Sequence, residues 1–251
     1  MNKIDLWTKA NMLRNQLGED PQSPIDIFSL VYTIDHLTVV FYPMGDRISG
    51  MCIKGQDSNV IAINSAMSVG RQRFSMAHEL FHLFYDSNMA TTICSKRIGA
   101  GKEAAEKDAD QFASYFLMPP DALINAIKRF KEKEGNKLTV NSVVKLEQYF
   151  RVSRQAILIR LIEENELTED EADSMRKDVI RSAICLGYDD SLYRPLSHQK
   201  QHMTYGYYIQ QADEVFEKKL VSSGKYEELL LDAFRSDLVY GDSIEGGELI
   251  D

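Results

Sequence analysis

Residues 74 to 86 read FSMAHELFHLFYD, and inside them His78-Glu79-Leu80-Phe81-His82 is an H-E-x-x-H pattern. No other stretch narrows so far what this chain can fold into. On an α-helix, residues four apart share a face, so His78 and His82 can hold one metal ion between them. Glu79 is turned about 100° from His78. That places it beside the metal, where a general base for water would stand. At this pitch Ser75, His78, Glu79, His82 and Asp86 fall on one narrow stripe, and Met76, Leu80, Phe81, Leu83 and Phe84 cover the rest. A helix apolar nearly all round is buried. Histidine and glutamate on a buried helix need partners, because unpaired buried polar groups are costly. A metal ion meets that need better than a self-satisfied pair of core histidines.

A catalytic zinc site usually takes three protein ligands and keeps a position open for water. The stretch EAAEKDADQFASYFLMPP supplies the third. Glu106 and Asp110 are four apart and share a helix face, with Glu103 one turn earlier. Ala105, Ala109, Phe112 and Phe116 form an adjoining apolar face that can dock on the motif helix, whereas Asp108 points to nearly the opposite side. Glu106 is therefore the expected third ligand and Glu103 the alternative. Asp110 would accept the Nδ1 hydrogen of His78 or His82 and so orient that imidazole.

The two stretches together, RQRFSMAHELFHLF and EKDADQFASYFLMP, resemble the ImmA/IrrE family of zinc metallopeptidases. Its pattern is R-x-x-F-x-x-A-H-E-x-x-H, followed by a helix of the kind E-x-x-A-N/D-x-F-A-x-x-L-x-P. The resemblance extends over about residues 1 to 165. Asp110 stands where asparagine is common, and it keeps the orienting role. The family implies one zinc ion held by His78, His82 and Glu106, with Glu79 as the catalytic residue. It implies as substrates helix-turn-helix repressors of the XRE type. Zinc acts as a Lewis acid and lowers the pKa of water towards about 7. Glu79 would take the proton and deliver it to the leaving amine. Tyr85, by helical phase, and Asn64 are candidates for substrate or transition-state contacts. His36, His198, His202, Arg71 and Arg73 read as structural.

Around these helices the expected fold is α+β: a small antiparallel sheet on a mainly helical zincin-like core, with an all-helical C-terminal part. Residues 5 to 17 and about 24 to 35 have helical signals. Residues 37 to 43, 48 to 54 and 59 to 64 read as strands, rich in β-branched and aromatic side chains and separated by Gly45, Gly55 and Asp57. VIAIN, residues 60 to 64, is a candidate edge for pairing with an extended peptide. Residues 87 to 102 read as a loop. Helices are expected to about 118, over 120 to 133, 139 to 150 and 153 to 164, and from Thr168 to about 186. The boundaries follow as 1–135 for a metallopeptidase domain, 136–166 for a helix-turn-helix-like pair, and 167–251 for a helical extension with a mobile acidic tail.

The helix pair carries Lys137, Lys145, Arg151, Arg154 and Arg160 against the single acid Glu147. As a DNA-binding unit it would read with residues 153 to 160. The acidic EENELTEDEAD that follows and the net charge of −9 argue against nucleic acid. The alternative is a helical hairpin packed on the peptidase domain with its arginines on the surface, a region where a partner repressor can also bind; for the whole chain the expected partner is a helix-turn-helix repressor substrate. A non-catalytic metal-containing antirepressor or toxin–antitoxin partner, or a DNA-binding regulator, are the rivals. Three scattered cysteines, with no C-x-x-C, suit a reducing cytoplasm. Cys94 reads as a free thiol near the site. No run of eighteen apolar residues marks a membrane span.

Overall fold

The computed structural model describes residues 1–45, 47–86, 91–95, 104–133 and 135–241. Glu103 and nearly all of the acidic tail lie outside those residues, and so does the side chain of Cys94. The architecture is α+β, as expected, with one mixed five-stranded sheet in the order β4-β2-β3-β1-β5.

The chain opens with helix α1 (Lys3–Gln16), capped by Asn2, and the short α2 (Ile27–Val31). Strands β1 (Leu37–Tyr42), β2 (Ile48–Lys54) and β3 (Asn59–Asn64) follow. The sheet is not purely antiparallel. β3 pairs antiparallel with β2 but parallel with β1, Val39 facing Ile61 and Tyr42 facing Asn64. VIAIN is therefore central and not an edge. Its residues Ile61 to Asn64 are all buried, with apolar side chains on both faces. A strand covered on both faces reads as a continuous apolar run. The crossing from β1 over the end of β3 to β2 is held by Asn64. Its Oδ1 accepts from the amides of Met44 (3.0 Å) and Ala66 (3.1 Å), and its Nδ2 donates to the Ile48 carbonyl (2.7 Å).

Helix α3 (Val69–Tyr85) carries the H-E-x-x-H pattern and is buried from Gln72 to His82. It lies on the sheet face that presents Gly50, Cys52, Ile61 and Ile63. Its entry is pinned by Gln72, which donates to the carbonyls of Ser65 and Met67, and by Arg73. Arg73 Nε donates to the Arg151 carbonyl (3.0 Å) and Nη1 to Asp26 (3.1 Å). Residues 91 to 95, read as loop from the sequence, form strand β4 (Thr91–Ser95), antiparallel to β2.

Helix α4 (Ala104–Leu117) crosses the far side of α3, where Phe81 meets Phe112 with ring centroids 5.6 Å apart. The chain then runs through α5 (Pro120–Lys133), α6 (Val140–Phe150) and α7 (Arg154–Glu163). Val143, Leu146, Phe150, Ile157 and Leu161 join the same core as α3. The α6–α7 turn rests on α3, since a Cβ added at Gly70 would lie 2.8 Å from the Ser153 amide. Two arginines of α7, which a DNA-reading helix or a surface hairpin would expose, are inside. Arg154 pairs with Glu147 and donates to Met175 O and Ser182 Oγ. Arg160 donates to Ser114 Oγ and stacks on the Tyr115 ring. Cations committed to buried partners cannot neutralise phosphates.

One helix was expected over 168 to 186. Instead α8 (Glu169–Met175) and α9 (Val179–Cys185) are separated by Asp178 in the left-handed region, φ 52°. Nor is the C-terminal part all-helical. Strand β5 (Met203–Gly206) adds antiparallel to β1, followed by α10 (Tyr207–Glu217), α11 (Ser223–Asp232) and α12 (Ser236–Tyr240). The turn from β5 into α10 needs a glycine. Gly206 has φ 85°, and a Cβ there would sit 2.4 Å from the Leu37 carbonyl oxygen. The Tyr208 amide donates to Thr38 Oγ1, seating α10 on β1. No helix among the described residues is long and apolar enough to cross a membrane.

Candidate metal centre

Two helices build the centre. From α3, one turn apart, come His78 and His82, whose Nε2 atoms lie 3.2 Å from each other. From the first turn of α4 comes Glu106, its carboxylate 3.6 Å from His78 Nε2 and 3.3 Å from His82 Nε2. The helix face that buries Ala109, Phe112 and Phe116 against α3 and α1 presents Glu106 to the histidines. Zinc bonds of about 2.0–2.1 Å in tetrahedral array put ligand atoms about 3.3–3.4 Å apart. The three donors are already spaced for one such ion, and their atoms all lie within 4.8 Å of one another.

Both imidazoles are turned by carboxylates on their other nitrogen. His78 Nδ1 lies 2.9 Å from Asp110, and His82 Nδ1 lies 3.2 Å from Asp86. A carboxylate on Nδ1 fixes the tautomer that leaves Nε2 free to ligate. Asp110 was expected in this place. The role of Asp86 was not drawn from the sequence, although its position on the stripe, four residues after His82, is the signal that could have revealed it.

Proton distribution follows the same geometry. Burial works against a charge on His78, but hydrogen bonds to Asp110 and Glu106 overcome it and raise the imidazolium to about 9. Burial likewise pushes the Glu106 carboxyl up, yet the two histidines hold it well below the usual carboxylate range. In the metal-free protein the proton therefore sits on His78. A metal requires the neutral imidazole, so below a pH of about 9 binding must expel that proton. Apparent zinc affinity is expected to rise about tenfold per pH unit from pH 7 to 9 through this group, then flatten. Competition against a chelator of known affinity at several pH values measures the slope. A flat profile would contradict a protonated His78.

Glu79 is fully buried beside the donors and faces β2. A Cβ added at Gly50 would lie 2.8 Å from Glu79 Oε1 and 3.1 Å from the Ala62 carbonyl oxygen. Only glycine leaves the carboxylate its place. Gly50→Ala is expected to displace Glu79 and lower activity about 10- to 100-fold, since misplacement by about 1 Å suffices for that. Metal content should stay unchanged. Full activity in that variant would show that Glu79 tolerates displacement. Cys52, two residues along the same face, is buried, and burial with the nearby Glu79 pushes its thiol up to about 12, which makes it inert.

Other candidates stand elsewhere. The Tyr85 hydroxyl donates to the Lys9 carbonyl at 2.9 Å, tying α3 to α1, because its ring continues the apolar side of the helix. Asn64 is committed to the β1–β2 crossing. His36 packs on Tyr207, and His202 packs on Tyr42 and Phe234, at the β1–β5 side of the sheet. Arg71 is largely buried; burial lowers its guanidinium to about 10, and the charge of Asp110 offsets part of that.

Comparison with known proteins gives the same picture. The radiation response metalloprotease IrrE of Deinococcus deserti is 32% identical over 108 residues, which are 42% of this chain and 37% of that protein. The alignment thus spans just over a third of the relative's length. Residues 37–162 match the family model described as the IrrE N-terminal-like domain, Peptidase M78. That match runs from β1 to α7, across both helices of the metal centre and half of the sequence, and on it the chain belongs to the ImmA/IrrE family.

Proposed function

We propose that the protein is a cytoplasmic, zinc-dependent endopeptidase that hydrolyses a peptide bond in one specific protein. We infer as its substrate a helix-turn-helix repressor of the XRE type, whose cleavage relieves repression. The observation that carries the peptidase reading is the convergence of His78, His82 and Glu106 with Glu79 beside them and an orienting carboxylate behind each imidazole. The name of the Deinococcus relative, a radiation response metalloprotease, supports it.

Zinc bound there would supply Lewis acidity, polarising a carbonyl and acidifying water. Asp110 and Asp86 hold the Nδ1 side of each imidazole, so that both Nε2 atoms would be free to hold the ion. Glu79, held between α3 and β2, takes a proton from water and returns it to the leaving amine. Its neighbour Gly50 pairs with Cys94 of β4, the edge strand beside β2. An extended segment adding to that edge would lie on the β2 side of the sheet, the side that carries Gly50. The net charge of −9 complements the basic surface of a DNA-binding substrate and favours encounter.

The experiment incubates the zinc-loaded chain with helix-turn-helix repressors of the XRE type and identifies fragments by mass spectrometry. A single, chelator-sensitive cut is the expected result. An uncut repressor that nevertheless binds the chain would favour the non-catalytic antirepressor.

A further inference from the structure

Strand β2 meets α3 at two points. Gly50, Cys52 and Lys54 are alternate residues of one strand, so they share the sheet face on which α3 lies. Gly50 stands against Glu79 within the helix. Four residues further along β2, the half-buried Lys54 donates through its ammonium to the main-chain carbonyl of Asp86, the residue that caps the end of α3. Cys52, between them, feels the charges of Glu79, Lys54 and Asp86 alike.

The two carboxylates that orient the imidazoles are held differently. Asp110 stands inside α4, where the hydrogen bonds of the helix fix its backbone and so aim its side chain. Asp86 follows the last residue of α3. Its backbone is extended, with φ −95° and ψ 102°, and its carbonyl lies beyond the helix ladder. Its carboxylate is nevertheless 3.2 Å from His82 Nδ1. An outer carboxylate sets the tautomer and direction of a ligating imidazole. It does so only if its own backbone is held. A lysine suits that task at this place, because it can bond a late carbonyl of a helix and favours the negative end of the helix dipole.

We propose that Lys54 is a positioning residue of the metal centre, acting on His82 through Asp86. Its ammonium ties the Asp86 carbonyl to β2, the fixed backbone aims the carboxylate at His82 Nδ1, and the imidazole is thereby left with Nε2 toward the other donors. The inference rests on the reading of His78, His82 and Glu106 as ligands. It adds that the sheet, and not the two helices alone, holds one of those ligands in place. A lysine that acted only by its charge would do the opposite, since a cation repels a divalent ion. Positioning and charge therefore predict changes in metal affinity of opposite sign when Lys54 is replaced.

Zinc affinity of the full chain, measured by chelator competition, tests this without any substrate. In about 1 M salt a Debye length of about 3 Å screens the change in charge. Lys54→Met has no donor and Lys54→Gln is too short to reach the carbonyl. Each should bind zinc about 3- to 10-fold more weakly, less than the about 10- to 100-fold that follows loss of an orienting group itself. Lys54→Arg can still donate and should stay within about twofold of wild type. On an Asp86→Ala background the effect of Lys54→Met should vanish, because no carboxylate is left to aim; on an Asp110→Ala background it should persist in full. The visible spectrum of the cobalt(II)-loaded chain should change in Lys54→Met and return in Lys54→Arg. Melts of the metal-free variants check that they fold, and Lys54→Gln carries the test if Lys54→Met does not. Zinc binding that is unchanged or tighter in these variants, or a loss of the same size on the Asp86→Ala background, would overturn the role of Lys54 and leave the ligand set standing. A wild-type chain that binds no zinc would overturn both.

Discussion

Glu79→Gln is expected to lower kcat/KM for cleavage of the proposed repressor substrate by about 10²–10⁴-fold, the range removed with a general acid–base group. That corresponds to about 3–5 kcal/mol of transition-state stabilisation. Glutamine has nearly the same shape as glutamate, so the buried pocket between α3 and Gly50 stays filled. It cannot accept the proton. His78, His82 and Glu106 are untouched, and zinc should remain at one ion per chain by elemental analysis. The combination of retained metal and lost cleavage is what distinguishes a catalytic carboxylate from a ligand. Cleavage at the wild-type rate would remove Glu79 from the reaction and favour the non-catalytic reading.

Glu106→Ala should abolish activity by a different route, through loss of the metal. Structural zinc sites are worth about 10–16 kcal/mol in all, so one ligand of several accounts for about 3–4 kcal/mol, or two to three orders of magnitude in affinity. The carboxylate also bridges the two imidazoles, and without it the His78 proton loses one of its acceptors. Excess zinc should therefore restore part of the activity in Glu106→Ala and none in Glu79→Gln. Asp86→Asn and Asp110→Asn are expected to lie between, each costing about 10–100-fold in affinity because an orienting group is weakened and not a ligand. Equal zinc affinity in Glu106→Ala and wild type would show that the ion is held elsewhere.

The substrate reading is separable from both results. A catalytic zinc site determines that a carbonyl can be attacked; it does not choose the protein. Selection has to come from surfaces around the metal centre, and β4 is the outermost strand on the β2 side of the sheet, next to Gly50. The helix pair is less available for that purpose than its sequence suggests. Its turn packs against Gly70, and its arginines 154 and 160 are committed to Glu147 and Ser114.

Much of the site was legible because helical geometry is local. The four-residue spacing of His78 and His82, and of Glu106 and Asp110, fixes which side chains share a face whatever the rest of the chain does. The same reasoning placed the helices over 120 to 133, 139 to 150 and 153 to 164 within a residue or two. Tyr85 shows the limit of helical phase. It lies close to the stripe, yet a phenol is long, and the Lys9 carbonyl of another helix decided where its hydroxyl went.

Strand order was not legible, because pairing is decided between segments far apart in sequence. The run 59 to 64 reads equally as edge or centre until β1 is known to lie parallel beside it. Met203–Gly206 is four residues long and has no alternation to detect; it becomes a strand because β1 leaves an unpaired edge and Gly206 can turn beneath the Leu37 carbonyl. The break at Asp178 likewise has no local breaker such as proline or glycine. By itself, then, the sequence determined which side chains share the face of each helix and the helices that carry them, since each depends on spacing within one turn or a few. Only the tertiary structure decided that Asp86 serves His82, that Gly50 makes room for Glu79 and that β4 pairs outside β2 at the end of the sheet. Those facts depend on side-chain reach and on strands meeting across gaps of tens of residues, which no local pattern encodes.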